Sequence, residues 1–186
     1  MEAYLDNSAT TRAFEQVKDL VVKTMMEDYG NPSSLHRKGL EAERYVKTAA
    51  EAVAKTLKAS PSEIIFTSGG TESNNMAIIG GAKANCRVGK HIVTSTIEHA
   101  SVYNVFGHLE EEGWRVTYVP VDEKGQLRKE ALLEALEPDT ALVSVMYVNN
   151  EIGSVNPIGE IGALIKEKNP RTLFHVDVIQ AYGKYR

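Results

Sequence analysis

From residue 63 onward the sequence alternates short apolar runs with longer amphipathic stretches, and this alternation constrains the fold more than any other feature. The apolar runs have the length of strands, and Leu142-Val143-Ser144-Val145-Met146 is apolar on both faces apart from one serine. Strands of this kind are typical of a parallel sheet covered by helices on each side. Repeated strand–helix units with right-handed crossovers build such a sheet. We therefore predict an α/β fold with a mainly parallel sheet flanked by helices.

The pattern predicts five strands, with a helix after each of the first four. The predicted strands are residues 63–67, 91–96, 114–121, 141–148 and 173–176, and the helices between them are 71–84, 101–112, 128–136 and 158–168. Two further helices precede the first strand, over residues 14–28 and 38–58. The second of these is predicted to turn the following residues inward: Val46, Ala49, Ala50, Val53 and Leu57.

Composition and charge exclude several classes of protein. A hydrophobic content of 42% and a charged content of 25% are ordinary for a globular chain and exclude a fibrous or disordered one. The net charge of −4 provides no basic surface for nucleic acid or an anionic membrane. The only cysteine, Cys86, excludes an internal disulfide and a cysteine-rich metal site, so we expect no metal. Because the sequence also shows no signal peptide or membrane span, we expect a cytoplasmic protein.

Polar residues follow four of the five predicted strands at the point where each strand ends. They are residues 68–75, Glu98-His99, Asn149-Asn150-Glu151, and Asp177 with Gln180. In open α/β sheets, ligands bind beyond the carboxyl ends of the strands, which share one rim. The sequence therefore predicts a binding site at this rim.

The segment Ser68-Gly69-Gly70-Thr71 leads into a predicted helix. Glycines let a backbone approach a ligand closely, and a helix N-terminus offers unpaired N–H groups and partial positive charge. A phosphate fits such a site, with the Thr71 hydroxyl as an added donor. A tight turn in which Thr71 only caps the helix explains the same residues equally well.

Two ionisable residues at the rim have both a structural and a functional interpretation. His99 is either a structural histidine or a group that stacks on a planar ligand and moves a proton. Asp177 ends an apolar strand and either caps the next helix or pairs with a protonated ring nitrogen, because burying a lone carboxylate is costly. Asn150 and Gln180 are candidates to bond a ligand hydroxyl, or are turn residues. A phosphate, a flat ring and a protonated ring nitrogen are the three features of pyridoxal phosphate.

At these residues the sequence resembles the amino-terminal half of cysteine desulfurases of the NifS/IscS type, in the class V aminotransferase superfamily. The similar segments follow the family's order over nearly the whole chain: 4–11, 30–36, 66–75, 98–99, 149–153 and 175–177. Ser8 is a small departure, since the family usually has alanine there.

The resemblance implies a fold-type I large domain that binds pyridoxal phosphate, truncated before the family's Schiff-base lysine. We expect an N-terminal arm over residues 1–13 and the N-terminal portion of this domain over residues 14–186. The family converts L-cysteine to L-alanine and leaves a persulfide on an enzyme cysteine, which supplies sulfur for iron–sulfur clusters or thiolation.

The resemblance also implies a role for each candidate residue at the rim. Thr71 and the backbone of Gly70 hold the cofactor phosphate. His99 stacks on the ring and assists proton transfer as the catalytic residue, and Asp177 pairs with the pyridinium nitrogen. The ring hydroxyl and the pocket wall are assigned to Gln180 and Asn150, respectively.

The family's Schiff-base lysine, persulfide cysteine and substrate-binding arginine lie beyond position 186. Cys86, Lys90 and Lys184 match none of these positions. We therefore expect the 186-residue chain alone to be inactive and to bind pyridoxal phosphate weakly, without a covalent tether, or not at all.

Two other functions are compatible with the same segments. One is a non-catalytic interaction or regulatory module that uses the family's dimer surface. The other is a different class V enzyme, such as a selenocysteine lyase. In each case we expect a homo-oligomer or a complementing C-terminal half as partner. The family role adds a sulfur acceptor or iron–sulfur scaffold protein, and no nucleic acid or membrane is expected.

Overall fold

The computed structural model describes residues 3–185. This part of the chain contains the following helices and strands, in order: α1 Glu15–Met26, α2 Arg37–Leu57, α3 Gly70–Ala84, β1 His91–Ser95, α4 Ala100–Glu111, β2 Arg115–Val119, α5 Lys129–Ala135, β3 Thr140–Met146, α6 Ile158–Lys168 and β4 Leu173–Asp177. A short 3-10 helix, Pro61–Glu63, lies between α2 and α3. None of the helices in residues 3–185 is long and apolar enough to cross a membrane.

The four strands form one parallel sheet in the order β2-β1-β3-β4. The register places Thr94 beside Ser144 and Ser144 beside His175, and it ends with Met146 beside Asp177. All the strands therefore finish on the same rim, which confirms the predicted α/β fold and parallel sheet.

Helices cover both faces of the sheet. On one face, Ile92 and Leu142 pack with Ile78 of α3 and Phe106 of α4. On the other face, residues of the same strands pack with α5 and α6: Val93, Val143, Val145, Leu132, Ile161 and Ile165. Neighbouring strand residues point to opposite faces, so burial on both sides explains the nearly continuous apolar run of β3.

The chain divides into two compact units, one ending at Phe66 and the other beginning at Thr67. The first contains α1, α2 and the 3-10 helix, and the second contains the sheet with α3 to α6. The candidate site residues of the rim all belong to the second unit.

The inward face predicted for α2 is only partly right. Ala50 is buried as expected, but Ala49 is exposed and Val46 and Leu57 have exposed fractions of 43% and 54%. The buried residues of α2 are all small: Gly39, Ala42, Ala50 and Ala54. A side chain at Gly39 would lie 2.0 Å from the carbonyl oxygen of Ser34, so this position requires glycine. Close backbone approach at Gly39, which a larger residue would prevent, is one reason why this face of α2 is the buried one.

The strand predicted over residues 63–67 is absent from the structure. Glu63 ends the 3-10 helix, where its carboxylate accepts the Ser60 N–H at 2.7 Å, and residues 64–67 are irregular. No strand within residues 3–185 pairs with this segment. An apolar run favours extended backbone, but a strand also requires a hydrogen-bonded neighbour, and the local sequence does not indicate whether one is present.

Phe106 fills the centre of the core between the sheet and α4 and is fully buried. We expect Phe106→Ala to lower the free energy of unfolding by about 3–5 kcal/mol, because it removes buried apolar area and leaves a cavity. The measurement is urea unfolding followed by circular dichroism. Glu111→Ala, at an exposed position of the same helix, should change it by no more than about 0.5 kcal/mol. Equal losses in the two variants would contradict this description of the core.

Candidate functional site

The loop before α3 is held by its own polar side chains. The Glu72 carboxylate accepts both the N–H and the hydroxyl of Ser68 at 2.6 Å, and these bonds keep its pKa below the usual value. The hydroxyls of Thr67 and Ser73 are 2.6 Å apart. The loop is thereby ordered up to the first turn of α3, where backbone N–H groups lack a partner within the helix.

Gly70 allows the start of α3 to lie against the turn that follows β4. A Cβ atom at Gly70 would lie 2.0 Å from Cδ1 of Ile179. Ile179 comes two residues after Asp177, so this contact brings the predicted phosphate loop next to the carboxyl end of β4. The near atom is the far end of a side chain with an exposed fraction of 56%, so a side chain at position 70 would require Ile179 to move.

Asp177 is a buried carboxylate at the end of β4, with an exposed fraction of 7%. Its Oδ1 accepts the backbone N–H of Ile179 at 3.0 Å, and its Oδ2 accepts the side-chain amide of Asn74 at 2.9 Å. Both donors are neutral, and no salt bridge reaches Asp177 among the described residues 3–185. A buried charge is costly without an opposite charge. The site is therefore suited to a ligand with a cationic group.

A chain of hydrogen bonds connects Asp177 to His99. The Asn74 amide nitrogen, bonded to Asp177, lies 2.9 Å from the Ser101 hydroxyl as well. The Ser101 hydroxyl lies 2.8 Å from Nδ1 of His99, and the Ser101 N–H donates to that same nitrogen at 3.1 Å. His99 is thereby the N-cap of α4. Two residues that the sequence placed after different strands are joined through two buried side chains.

A cavity of about 410 Å³ lies between α3 and α4. Thr71 and His99, from the first turns of the two helices, both line it. The rest of the wall is mixed polar and apolar: Asn75, Ile79, Ala100, Ser101, Asn104, Val105 and His108. The volume is in the range of small-molecule sites. The predicted phosphate-binding and ring-stacking residues therefore share one cavity.

Glu98 lies beside this site with its carboxyl turned into the protein. Its Oε1 accepts the Ser95 hydroxyl and, at 3.0 Å, the Met146 N–H, whereas its Oε2 is buried with no hydrogen-bond partner in residues 3–185. Burial raises the pKa of Glu98 to about 7, and the negative charge of Asp177 adds to the rise. Near neutral pH, Glu98 is thus protonated in a large fraction of molecules, which reduces the negative charge around Asp177.

Two predicted site residues lie outside the hydrogen-bonded chain. The Asn150 amide donates to its neighbour Glu151 at 2.8 Å, in the turn after β3. Gln180 lies in the turn after Asp177, where its side-chain oxygen accepts from Lys184 at 3.3 Å. Their assigned roles toward a ligand stay predictions.

Sequence reasoning assigned no role to Asn74, Ser101 or Glu98. A signal for the first two was present, because each is a polar residue on the core-facing stripe of its helix. The buried stripe of α3 is Asn74, Ile78 and Ala82, and that of α4 includes Ser101, Val105 and Leu109. A polar residue at the start of such a stripe needs a buried partner. For Glu98 the available signals were its place after a predicted strand and its position beside His99.

The opposite end of the sheet holds a second group of ionisable residues. Arg115 donates to the carboxylates of both Glu137 and Asp139, at distances between 2.8 and 3.1 Å. The two ring nitrogens of His91 are bonded to the hydroxyls of Thr140 and Thr117. Although His91, Glu137 and Asp139 are close enough to hold a metal ion, their ligand atoms already have partners.

Comparison with known families and sequences agrees with the resemblance. Residues 3–186 match the family model described as aminotransferase class-V. The chain is 49% identical over 181 residues to a NifS/IcsS protein homolog of Lactobacillus delbrueckii subsp. bulgaricus, covering 97% of the chain and 47% of that protein. It is 46% identical over 182 residues to the cysteine desulfurase IscS of Clostridium botulinum, covering 98% of this chain and 45% of that protein. The chain therefore spans about half the length of the curated relatives it matches.

Solved structures show the same fold. A NifS-like protein superimposes with a TM-score of 0.91 at 42% identity, covering 95% of this chain and 49% of its own. A protein described as SspA in complex with cysteine also gives a TM-score of 0.91, at 38% identity. The superposition covers 97% of this chain and 52% of that protein. The fold is thus that of NifS-like enzymes over about half of their chains.

The buried carboxyl of Glu98 should make stability depend on pH. The unfolded chain has a pKa of about 4.5 at this residue and the folded chain one of about 7. Since the unfolded state releases its proton first, the stabilising contribution is complete at low pH and is lost as the pH rises through about 7. The free energy of unfolding relative to Glu98→Gln should fall by about 2 to 3 kcal/mol between about pH 5 and pH 8.

Urea unfolding of both proteins at the two pH values measures this difference, from which contributions of other groups cancel. Glu111→Gln is the control for loss of a carboxylate at an exposed position of the neighbouring helix. If the free energies of unfolding of the wild-type chain and Glu98→Gln differ by the same amount at both pH values, the Glu98 pKa is not raised.

Proposed function

Since the chain belongs to the class V aminotransferase family, we propose that it provides the noncovalent pyridoxal phosphate site of a cysteine desulfurase. The family and its cysteine desulfurases are pyridoxal phosphate enzymes. The observation that carries the proposal is the buried Asp177 carboxylate, which has two neutral hydrogen-bond donors and no cationic partner in residues 3–185. A protonated pyridine nitrogen is the cation that we propose as its partner.

The other groups at the rim also fit this cofactor. The start of α3 offers backbone N–H groups and the exposed Thr71 hydroxyl to a phosphate. His99 lines the same cavity and presents a flat ring to a flat ligand. A phosphate donor set, an aromatic face and a buried carboxylate are the three kinds of group that the cofactor requires.

When bound, pyridoxal phosphate supplies an electron sink for reactions at an amino acid. Asp177 would hold a proton on the ring nitrogen, because a nearby negative charge favours the protonated, cationic form of that nitrogen. Gly70 and Thr71 would bind and orient the phosphate through backbone N–H groups and the hydroxyl. His99 would hold the ring from one face and carry a proton at Nε2. We assign Gln180 to the ring hydroxyl and Asn150 to the pocket wall.

We propose L-cysteine as the substrate of the complete site, converted to L-alanine with a persulfide left on an enzyme cysteine. Relatives named cysteine desulfurase support this, as does the structural neighbour described in complex with cysteine. The family's tethering lysine and persulfide cysteine are expected in segments after position 186. The sulfur acceptor, the partner chain, a cytoplasmic location and the division at residues 13 and 14 stay predictions.

A second candidate function, a non-catalytic interaction module, is favoured by α1. None of its residues is buried, and its apolar residues include Met25 and Met26, with exposed fractions of 70% and 72%. Exposed apolar groups on one helix are typical of surfaces that contact another protein. Such a module would need no cofactor, so a binding measurement separates the two functions. A selenocysteine lyase activity has no observation in its favour.

We expect weak, saturable binding of pyridoxal phosphate to the chain in isothermal titration calorimetry. Asp177→Asn should raise the dissociation constant about 10-fold or more, because it replaces a charge-assisted contact with a neutral one. The matched control is Asp139→Asn, which alters an aspartate paired with Arg115 at the other end of the sheet. No saturable binding by the wild-type chain, or equal weakening in both variants, would overturn the proposed cofactor site.

The purified 186-residue chain should release no sulfide from L-cysteine above the rate of free pyridoxal phosphate. Catalysis in the family needs a lysine that tethers the cofactor and a cysteine that accepts the sulfur. We expect both at family positions that correspond to residues after 186. The measurement is a colorimetric sulfide assay with added cofactor. Turnover that survives Cys86→Ser and Lys184→Ala would show that other residues of this chain perform those two roles.

A further inference from the structure

We propose that Asn74 and Ser101 are positioning residues that hold His99 in the tautomer protonated at Nε2. The catalytic use of this tautomer depends on the proposed function. The tautomer itself follows from the hydrogen bonds of this chain, and it can be tested without any ligand.

Asn74 is the part of the network whose orientation is decided first. It has an exposed fraction of 4%, and its side-chain nitrogen lies 2.9 Å from both Asp177 Oδ2 and Ser101 Oγ. An ionised carboxylate only accepts hydrogen bonds, so Asn74 must turn its NH₂ group, and not its oxygen, toward Asp177. The second hydrogen of that group is then directed at the Ser101 hydroxyl.

The orientation of the Asn74 amide determines how the Ser101 hydroxyl bonds to His99. Because its oxygen already accepts a hydrogen from Asn74, its own hydrogen is available to donate to His99 Nδ1, 2.8 Å away. The backbone N–H of Ser101 donates to the same nitrogen at 3.1 Å. Nδ1 therefore faces two donors from one residue, an arrangement that a hydrogen on Nδ1 would disrupt.

The neutral imidazole of His99 consequently carries its hydrogen on Nε2. Nε2 has no hydrogen-bond partner within residues 3–185, and the ring lines the cavity between α3 and α4. A ligand group that reaches Nε2 meets an N–H donor and not a lone pair. The Asp177 carboxylate therefore has two consequences, because it provides a negative charge for a ligand cation and also determines the His99 tautomer.

Both the Asn74 amide and the Ser101 hydroxyl are needed to hold His99 in one tautomer. Without the Asn74 donor, the Ser101 hydroxyl is free to accept a hydrogen from Nδ1 as well as to donate one. Without the hydroxyl, only the longer backbone bond at 3.1 Å favours an unprotonated Nδ1. Either change should therefore leave a mixture of the two tautomers.

The test is a long-range ¹H–¹⁵N correlation spectrum of the imidazoles in the ligand-free, ¹⁵N-labelled 186-residue chain, at a pH where His99 is neutral. His99→Gln assigns the signals. The wild-type chain should show a single tautomer with unprotonated Nδ1 and protonated Nε2. In Asn74→Ala and Ser101→Ala, the Nδ1 signal should shift toward the protonated position as the other tautomer becomes populated.

Ser101→Thr, which keeps a hydroxyl, should restore the wild-type pattern. Ser154→Ala removes a buried serine hydroxyl that has no hydrogen-bond partner in the described part of the chain, and it should leave the His99 signals unchanged. His175, whose Nδ1 lies 2.8 Å from Ser144 Oγ, reports in the same spectrum whether each variant is folded. If the His175 signal shows that Asn74→Ala is not folded, the comparison of Ser101→Ala with Ser101→Thr still tests whether the Ser101 hydroxyl sets the His99 tautomer.

Protonated Nδ1 in the wild-type chain, or unchanged His99 signals in folded Ser101→Ala, would overturn the inference. The result is separable from the proposed function, since calorimetry with pyridoxal phosphate tests the cofactor site independently. If the predicted tautomer is observed but pyridoxal phosphate does not bind, the positioning role of Asn74 and Ser101 is supported and the proposed cofactor site is not.

Discussion

The buried carboxylate of Asp177 is the constraint on which the rest of the site depends. A charge in this position needs compensation, and the protein provides only part of it, through the Ile179 N–H and the Asn74 amide. Satisfying the carboxylate determines the orientation of Asn74, and Asn74 in turn orients Ser101 and His99. The lack of a cationic partner among residues 3–185 is why we propose a cationic ring as the ligand group at Asp177.

The parallel sheet explains why these groups meet. Its strands all end on one rim, where β4 presents Asp177 beside Met146 of β3, whose N–H also holds Glu98. Helices α3 and α4 cover the same face, and each places a polar residue of its core-facing stripe over the rim. A protonated Glu98 limits the repulsion between two acidic groups in this buried region. The fold thus brings polar groups from two strands and two helices together at this rim.

Local sequence patterns predicted most of the fold. The predicted helix 158–168 coincides with α6, and the other helices and strands after residue 70 agree to within two residues. The strand over residues 63–67 was wrong because pairing is not a local property. Thr71, His99 and Asp177 were chosen as candidate site residues from their places at strand ends and helix starts, and their roles toward a ligand stay predictions. In the structure, Thr71 and His99 line one cavity, and a chain of hydrogen bonds connects His99 to Asp177. Asn150 and Gln180 were chosen by the same rule, and nothing in their contacts tests it.

The sequence by itself determined the order of strands and helices and the polar character of the rim, because periodicity and turn residues act over a few neighbours. Only the tertiary structure decided that Asn74 meets Asp177, 103 residues away along the chain. It also decided that the Glu98 carboxyl is buried and that Ser101 faces His99 Nδ1. These contacts depend on strand register and on how the helices pack against the sheet. Such long-range geometry sets burial, and burial sets which hydrogen bonds and protonation states a polar group adopts.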